Sequence, residues 1–285
     1  MVDHDPARQA QSSNGRRDLT LRIISSLVLA PLAIATAYLG GVAFVVLWGL
    51  AALGILWEWR RIVGDMRAVT LGLSIAAVVL ITIDLMLSGA ASAGRDVLAV
   101  CLVALLAALL AREHRIWIAG GILYSSTLVL SVSVLRADRE WGYWAILYLF
   151  AIVWATDILG YFVGRLAGGP RLAPRLSPKK TWSGAVGGAV GAVLAGAAVT
   201  GYAGLSTLPA VASLGLVLSA ISQAGDLFES AVKRRFGAKD AGRVIPGHGG
   251  FMDRLDGFLA AAFAAVIIGL ARGGFDAPAR GLLVW

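Results

Sequence analysis

Residues 143–163 read YWAILYLFAIVWATDILGYFV, twenty-one positions with a single carboxylate, Asp157. A helix needs roughly 20 mainly apolar residues to cross a bilayer, and this stretch reaches that length without a break. Outward from it the pattern repeats. Similar runs lie at about 21–39, 42–57, 69–87, 97–111 and 116–135 on the N-terminal side, and at about 184–203, 208–228 and 256–271 on the C-terminal side. Of the 285 residues 58% are hydrophobic and 15% charged, more apolar than a soluble domain of this size. No period-2 alternation of the kind a transmembrane β-barrel requires is present. The expected fold class is therefore all-α, a polytopic integral membrane helical bundle of about nine spans. Cys101, the one cysteine, sits in an apolar run. It cannot close an intrachain disulfide, no CxxC or Cys/His cluster suggests zinc, and it reads as a small hydrophobe.

Lys and Arg sort between alternate loops. The N-terminal tail, the loops near 60–67 and 112–115, and the loops 164–183 and 229–255 carry nearly all of them. Only Arg95, Arg136, Arg139, Arg272 and Arg280 of the 25 fall on the other side. The positive-inside rule then places the N-terminus and both long loops in the cytoplasm and the C-terminus outside. Residues 1–20 are polar and read as a disordered tail. Residues 16–37 mimic a signal peptide, ending in Ala35-Thr36-Ala37, but the apolar character runs past Ala37, so a retained first helix is expected. In GAVGGAVGAVLAG (184–196) small residues recur four apart, a spacing that lets helices approach closely.

Ionisable residues inside a bilayer are costly. Asp84 lies near a helix end, where reaching the interface accounts for it. In the eighth run Ser219, Ser222, Asp226, Ser230 and Lys233 are spaced by 3, 4, 4 and 3, so they stand on one helix face, with Glu229 flanking. That polar stripe leads from the membrane into a basic loop and reads either as a ligand-facing surface or as a packing seam. The loop interleaves cations (Lys233, Arg234, Lys239, Arg243), the glycines of PGHGG and the carboxylates Asp253 and Asp256. Cations suit polyphosphate, glycines admit close backbone approach, and carboxylates among them are hard ligands suited to Mg²⁺. The other loop is kept non-helical by Pro170, Pro174 and Pro178. Its SPKKTWSG (177–184) places Ser177, Lys179, Lys180, Thr181 and Ser183 before a helix start, where a phosphate site is expected. It is not a Walker A loop.

The segment SAVKRRFGAKDAGRVIPGHGGFMDRLD (230–256) resembles the signature of phosphatidate cytidylyltransferases along its length, and the region 157–188 is similar to the same family. The matching stretches cover about a third of the chain; the first five spans carry only generic similarity. The resemblance implies the reaction CTP + phosphatidate → CDP-diacylglycerol + pyrophosphate. It implies Asp226, Asp253, Lys239 and Asp256 as catalytic residues, with Asp226 and Asp253 holding Mg²⁺ and room for a second cation. Ser177, Lys179, Lys180, Thr181, Ser230, Lys233, Arg234, Arg243, His248, Gly249, Gly250 and Arg254 are expected to bind substrate. Asp157, Asp240 and Glu229 are weaker candidates. The expected partners are CTP, phosphatidate and membrane lipids, with a homodimer left open and no nucleic acid. The expected setting is the bacterial inner membrane, with residues 21–140 as N-terminal helices and 141–285 as a catalytic region facing the cytoplasm. Another CTP-dependent lipid enzyme would share this architecture. A transporter would explain Asp157 and Asp226 but would not need the PGHGG loop.

Overall fold

The computed structural model describes residues 6–65, 67–205, 208–242, 244–245 and 249–285. In order these form α1 (Pro6–Leu39), α2 (Gly41–Val63), α3 (Ala68–Ser88), α4 (Ala93–Leu110), α5 (Arg115–Ala137) and α6 (Gly142–Ala167). There follow a hairpin of β1 (Arg171–Ala173) and β2 (Ser177–Thr181), then α7 (Trp182–Tyr202), α8 (Leu208–Arg235), α9 (Met252–Gly273) and the short α10 (Pro278–Leu283). Seven stretches among the described residues are long and apolar enough to cross a membrane. One of them, Ala68–Leu110, contains both α3 and α4, which pack on each other through a 3-10 turn at Gly89–Ser92. Ile24–Leu39 is a shorter apolar helix. The all-α membrane bundle expected from the apolar runs is the architecture found. The hairpin is the one sheet among the described residues, pairing Arg171 with Thr181 and Ala173 with Ser177.

Several helices overrun the expected bounds. The α8 helix continues past 228 to Arg235, so Ser230 and Lys233 stand on the helix that carries Asp226, as their spacing implies, and Arg234 belongs to that helix rather than to the loop after it. Its last turn carries Lys233, Arg234 and Arg235, a favourable place for cations at the negative end of the helix dipole. Gly237, at φ 69°, then lets the chain turn away. Helix α1 reaches back to Pro6, through residues expected as a tail. Extending an existing helix adds one hydrogen bond per residue without a new nucleus.

Helix α5 is the most enclosed span and packs against α2, α3, α4 and α9. The Gly-rich start of α7 lies against α6. A methyl group on Gly184 would stand 2.6 Å from the Gly160 carbonyl oxygen, and one on Gly188 would stand 2.7 Å from that of Thr156. These glycines permit the close α6–α7 contact from which the site is built. At the opposite end of the bundle, Asp84 accepts two hydrogen bonds from Arg95 at 2.8 Å each. Asp138 takes the N–H groups of Glu140, Trp141 and Arg280, which fastens α10.

Candidate active site

Helix α6, the segment through the hairpin, the start of α7 and one face of α8 enclose a cavity of about 640 Å³. Asp157, Tyr161 and Arg165 enter it from α6, Arg171 from β1, Lys179 and Lys180 from β2, and Gln223 and Asp226 from α8. The hairpin exists because the proline-punctuated loop cannot continue α6, yet β2 leads straight into α7. Thr181 forms the joint: its hydroxyl accepts the N–H of Gly184 at 3.1 Å and caps α7. Ser183 donates to the carbonyl oxygen of Gly168. The hydroxyls of SPKKTWSG therefore hold the cavity wall together, and its two lysines face the interior.

The stripe on α8 divides by depth. Deep in the bundle Thr156 donates to Ser219 at 2.8 Å, and Gln223 reaches the Ala185 carbonyl at 3.3 Å and Ser219 at 3.4 Å. Ser222 packs against Gly257 of α9. This part of the stripe is a helix seam whose polar groups satisfy one another. One turn on, Asp226 opens onto the cavity and forms an ion pair with Lys180, each about one-third exposed. Asp157, Glu229 and Asp256 lie close enough to form one acidic neighbourhood with Asp226, with Lys180 and Arg254 the nearby cations. Among the described residues no three His, Cys, Asp or Glu side chains converge tightly enough to cage a metal unaided.

Asp253 belongs to a second cluster. Lys233 lies between Glu229 at 2.5 Å and Asp253 at 2.6 Å, in a buried three-way ion pair. Asp253 also accepts the N–H of Ala241 at 3.1 Å and that of Gly250 at 3.1 Å. It thereby closes the loop between α8 and α9 onto the first turn of α9. Gly249 makes this turn at φ 92°. Arg234 donates to the Ala238 carbonyl at 3.1 Å. Lys239 and Asp240 are exposed, Ser177 and Ser230 half-buried, and Arg254 projects from the surface of α9. Arg243 and His248 lie outside the described residues. The site thus joins Asp226, Asp157, Lys179 and Lys180 around the cavity, and Lys233, Glu229 and Asp253 beside it.

Three participants were not singled out from the sequence. Arg165 and Arg171 counted only as topological charges, yet both line the cavity. Glu58 of α2 is 1% exposed and accepts the N–H groups of Phe251 at 3.1 Å and Met252 at 2.8 Å. A signal was present: Glu58 is the only carboxylate between Asp18 and Asp65, at the end of an apolar run.

A helical bundle whose charged cavity opens at the basic ends of its spans defines a membrane-embedded protein built to receive an anionic ligand. The chain belongs to the cytidylyltransferase family, whose model matches residues 20–271. It is 40% identical over 263 residues to the phosphatidate cytidylyltransferase of Brucella suis biovar 1 (strain 1330), covering 92% of this chain and 97% of the relative. It is 41% identical over 254 residues to that of Brucella abortus biovar 1 (strain 9-941), covering 88% and 93%. The phosphatidate cytidylyltransferase of Staphylococcus aureus (strain COL) is 34% identical over 122 residues, covering 42% of this chain and 47% of the relative. The Brucella likeness extends well beyond the two motif regions and takes in most of the N-terminal helices.

Proposed function

We propose that this protein transfers the cytidylyl group of CTP to phosphatidate, releasing pyrophosphate, at the cytoplasmic face of a bacterial inner membrane. The observation that carries this reading is the cavity at the basic helix ends, where Lys179 and Lys180 of the hairpin meet Asp157 and Asp226 of two spans. A phosphate oxygen of the lipid forms a bond to the α-phosphorus of CTP. The bond from that phosphorus to the bridging β-oxygen breaks, and pyrophosphate leaves with the electron pair. The nucleophile is already an anion near neutral pH, so no strong base is required. What this chain supplies is alignment and neutralisation of charge.

Lys179, Lys180, Arg165 and Arg171 suit the phosphate oxygens. The Lys180–Asp226 pair is partly solvated, and pairs of that kind are worth only about 0–1 kcal/mol. Lys180 can therefore turn from Asp226 to an arriving triphosphate at little cost.

Mg²⁺ fits the donor set, since it commonly takes one or two carboxylates together with substrate phosphates. Asp226 opens onto the cavity, and the buried Oε1 of Glu229 has no hydrogen-bond partner among the described residues. Asp226 and Asp253 would hold the metal, with Asp256 beside them and Asp157 or Glu229 available to a second cation. Asp253 already accepts from Lys233 and two backbone N–H groups, so metal binding there would displace one of these donors. Once bound, the metal would offset phosphate charge in the transition state. Lys239, Arg243, His248 and Arg254 are proposed to bind substrate as further basic residues of the segment that runs from the end of α8 into the first turn of α9, and a homodimer is part of the proposal.

Detergent-purified protein given CTP, phosphatidate and Mg²⁺ tests the reading. Pyrophosphate release that needs both substrates is expected. Release with CTP alone, or none with both, would refute it.

A further inference from the structure

The first turn of α9, which carries Asp253, is held from two sides, and one side belongs to the N-terminal half of the chain. Phe251 stands at the N-cap of α9, and no side-chain bond caps the helix from its own segment. The first N–H groups of a helix lack internal partners. Here the N–H groups of Phe251 and Met252 are taken by the two carboxylate oxygens of Glu58, at 3.1 and 2.8 Å. A carboxylate at this end also meets the positive pole of the helix.

Three glycines record the same contact. A methyl group on Gly250 would stand 2.5 Å from Oε2 of Glu58, and one on Gly242 would collide with Oε1. Neither residue has a positive φ, so neither needs to be glycine for its backbone conformation. Their missing side chains make room for Glu58. Gly54, one turn before Glu58 on α2, receives the Phe251 ring, and a methyl there would lie 2.6 Å from it. Helix α2 thus offers a small receptor, Gly54 for the ring and Glu58 for the N–H groups. Asp253 ties Ala241 and Gly250 together from the other side.

We propose that Glu58 is a positioning residue for cytidylyl transfer: from α2 it locks the first turn of α9 and so fixes where Asp253 and Asp256 stand. This rests on the proposed transferase activity. Lys179 and Lys180 lie on the hairpin, and among the described residues the ion pair of Lys180 is with Asp226 while Glu58 holds Phe251 and Met252, so CTP capture and positioning of α9 should separate.

The test compares Glu58→Gln, Gly250→Ala and the double variant Glu58→Ala/Gly250→Ala with Glu58→Ala, all as full-length protein in detergent. Amide hydrogen exchange is read alongside kcat and KM for CTP. In Glu58→Gln, exchange at Phe251 and Met252 should rise at least about tenfold while α2 and α5 stay protected. Its kcat should fall about ten- to hundredfold, as expected of misplaced groups, with KM for CTP within about threefold. Gly250→Ala should reproduce the loss, because its methyl displaces the carboxylate. The double variant should be no worse than Glu58→Ala, which already leaves room for the methyl. Unchanged exchange at 251–252, a normal kcat despite raised exchange, or strictly additive losses would each overturn the proposal. If Glu58→Gln does not fold, the Gly250→Ala and double-variant comparison decides. Wild-type protein that lacks transferase activity but shows Glu58-dependent protection would refute the assigned reaction and leave the clamp standing.

Discussion

Replacing Lys233 by Met tests whether this lysine serves the fold or the substrate. Its ammonium group is 2.5 Å from Glu229 and 2.6 Å from Asp253, with side-chain exposures of 11%, 1% and 14% for the three residues. Methionine fills similar space without charge and leaves two carboxylates facing each other in a poorly solvated site. Breaking a buried pair by removing one partner costs about 3–5 kcal/mol. At about 2–4 °C per kcal/mol for a chain of this general size, Tm should fall by roughly 6–20 °C. Thermal unfolding in detergent, followed by tryptophan fluorescence, measures it. Lys180→Met is the control. Its partly solvated pair with Asp226 is worth about 0–1 kcal/mol, so Tm should move by no more than about 4 °C while CTP use collapses. Adding Asp253→Asn to Lys233→Met should recover part of the lost stability by removing one stranded charge. An unchanged Tm in Lys233→Met, together with a raised KM for CTP, would refute this reasoning and make Lys233 a phosphate ligand.

Asp226→Asn and Asp253→Asn should each lower activity at least about a hundredfold, on the order of 3 kcal/mol, because Asn lacks the charge that holds a hard cation. Only Asp253→Asn should also lower Tm, and near-normal turnover of either variant at saturating Mg²⁺ would sink the shared-metal assignment. Lys239→Ala should reduce activity about ten- to hundredfold, the worth of a charged hydrogen bond to phosphate. Arg235→Ala, which removes a contact 5.7 Å above the Trp117 ring, should leave activity nearly intact, and equal mild losses would reduce the loop to a diffuse basic surface. Cysteines placed at Ala173 and Ala238 in a Cys101→Ala background should resist a membrane-impermeant thiol reagent in intact cells, and labelling there would put the basic face outside.

The sequence by itself determined the helical membrane architecture, because a run such as 143–163 leaves the backbone no way to satisfy its polar groups in lipid except a helix. It also determined which residue types meet at the basic ends: the lysines of SPKKTWSG, the carboxylates of α8 and α9, and the glycines between them. Local spacing carries that information, since period and composition act over a few residues. Tertiary structure alone decided the pairings. Nothing in the order of residues assigns Lys180 to Asp226 and Lys233 to Asp253, because both lysines sit in basic stretches and both carboxylates flank apolar runs. The choice depends on how closely α7 approaches α6 through Gly184 and Gly188, and on α8 continuing to Arg235 so that Lys233 stands one turn beyond Glu229. The role of Glu58 was equally hidden. Its partners Phe251 and Met252 are 193 and 194 positions away, and a backbone N–H, carried by almost every residue, leaves no mark in the sequence to say which side chain will accept it.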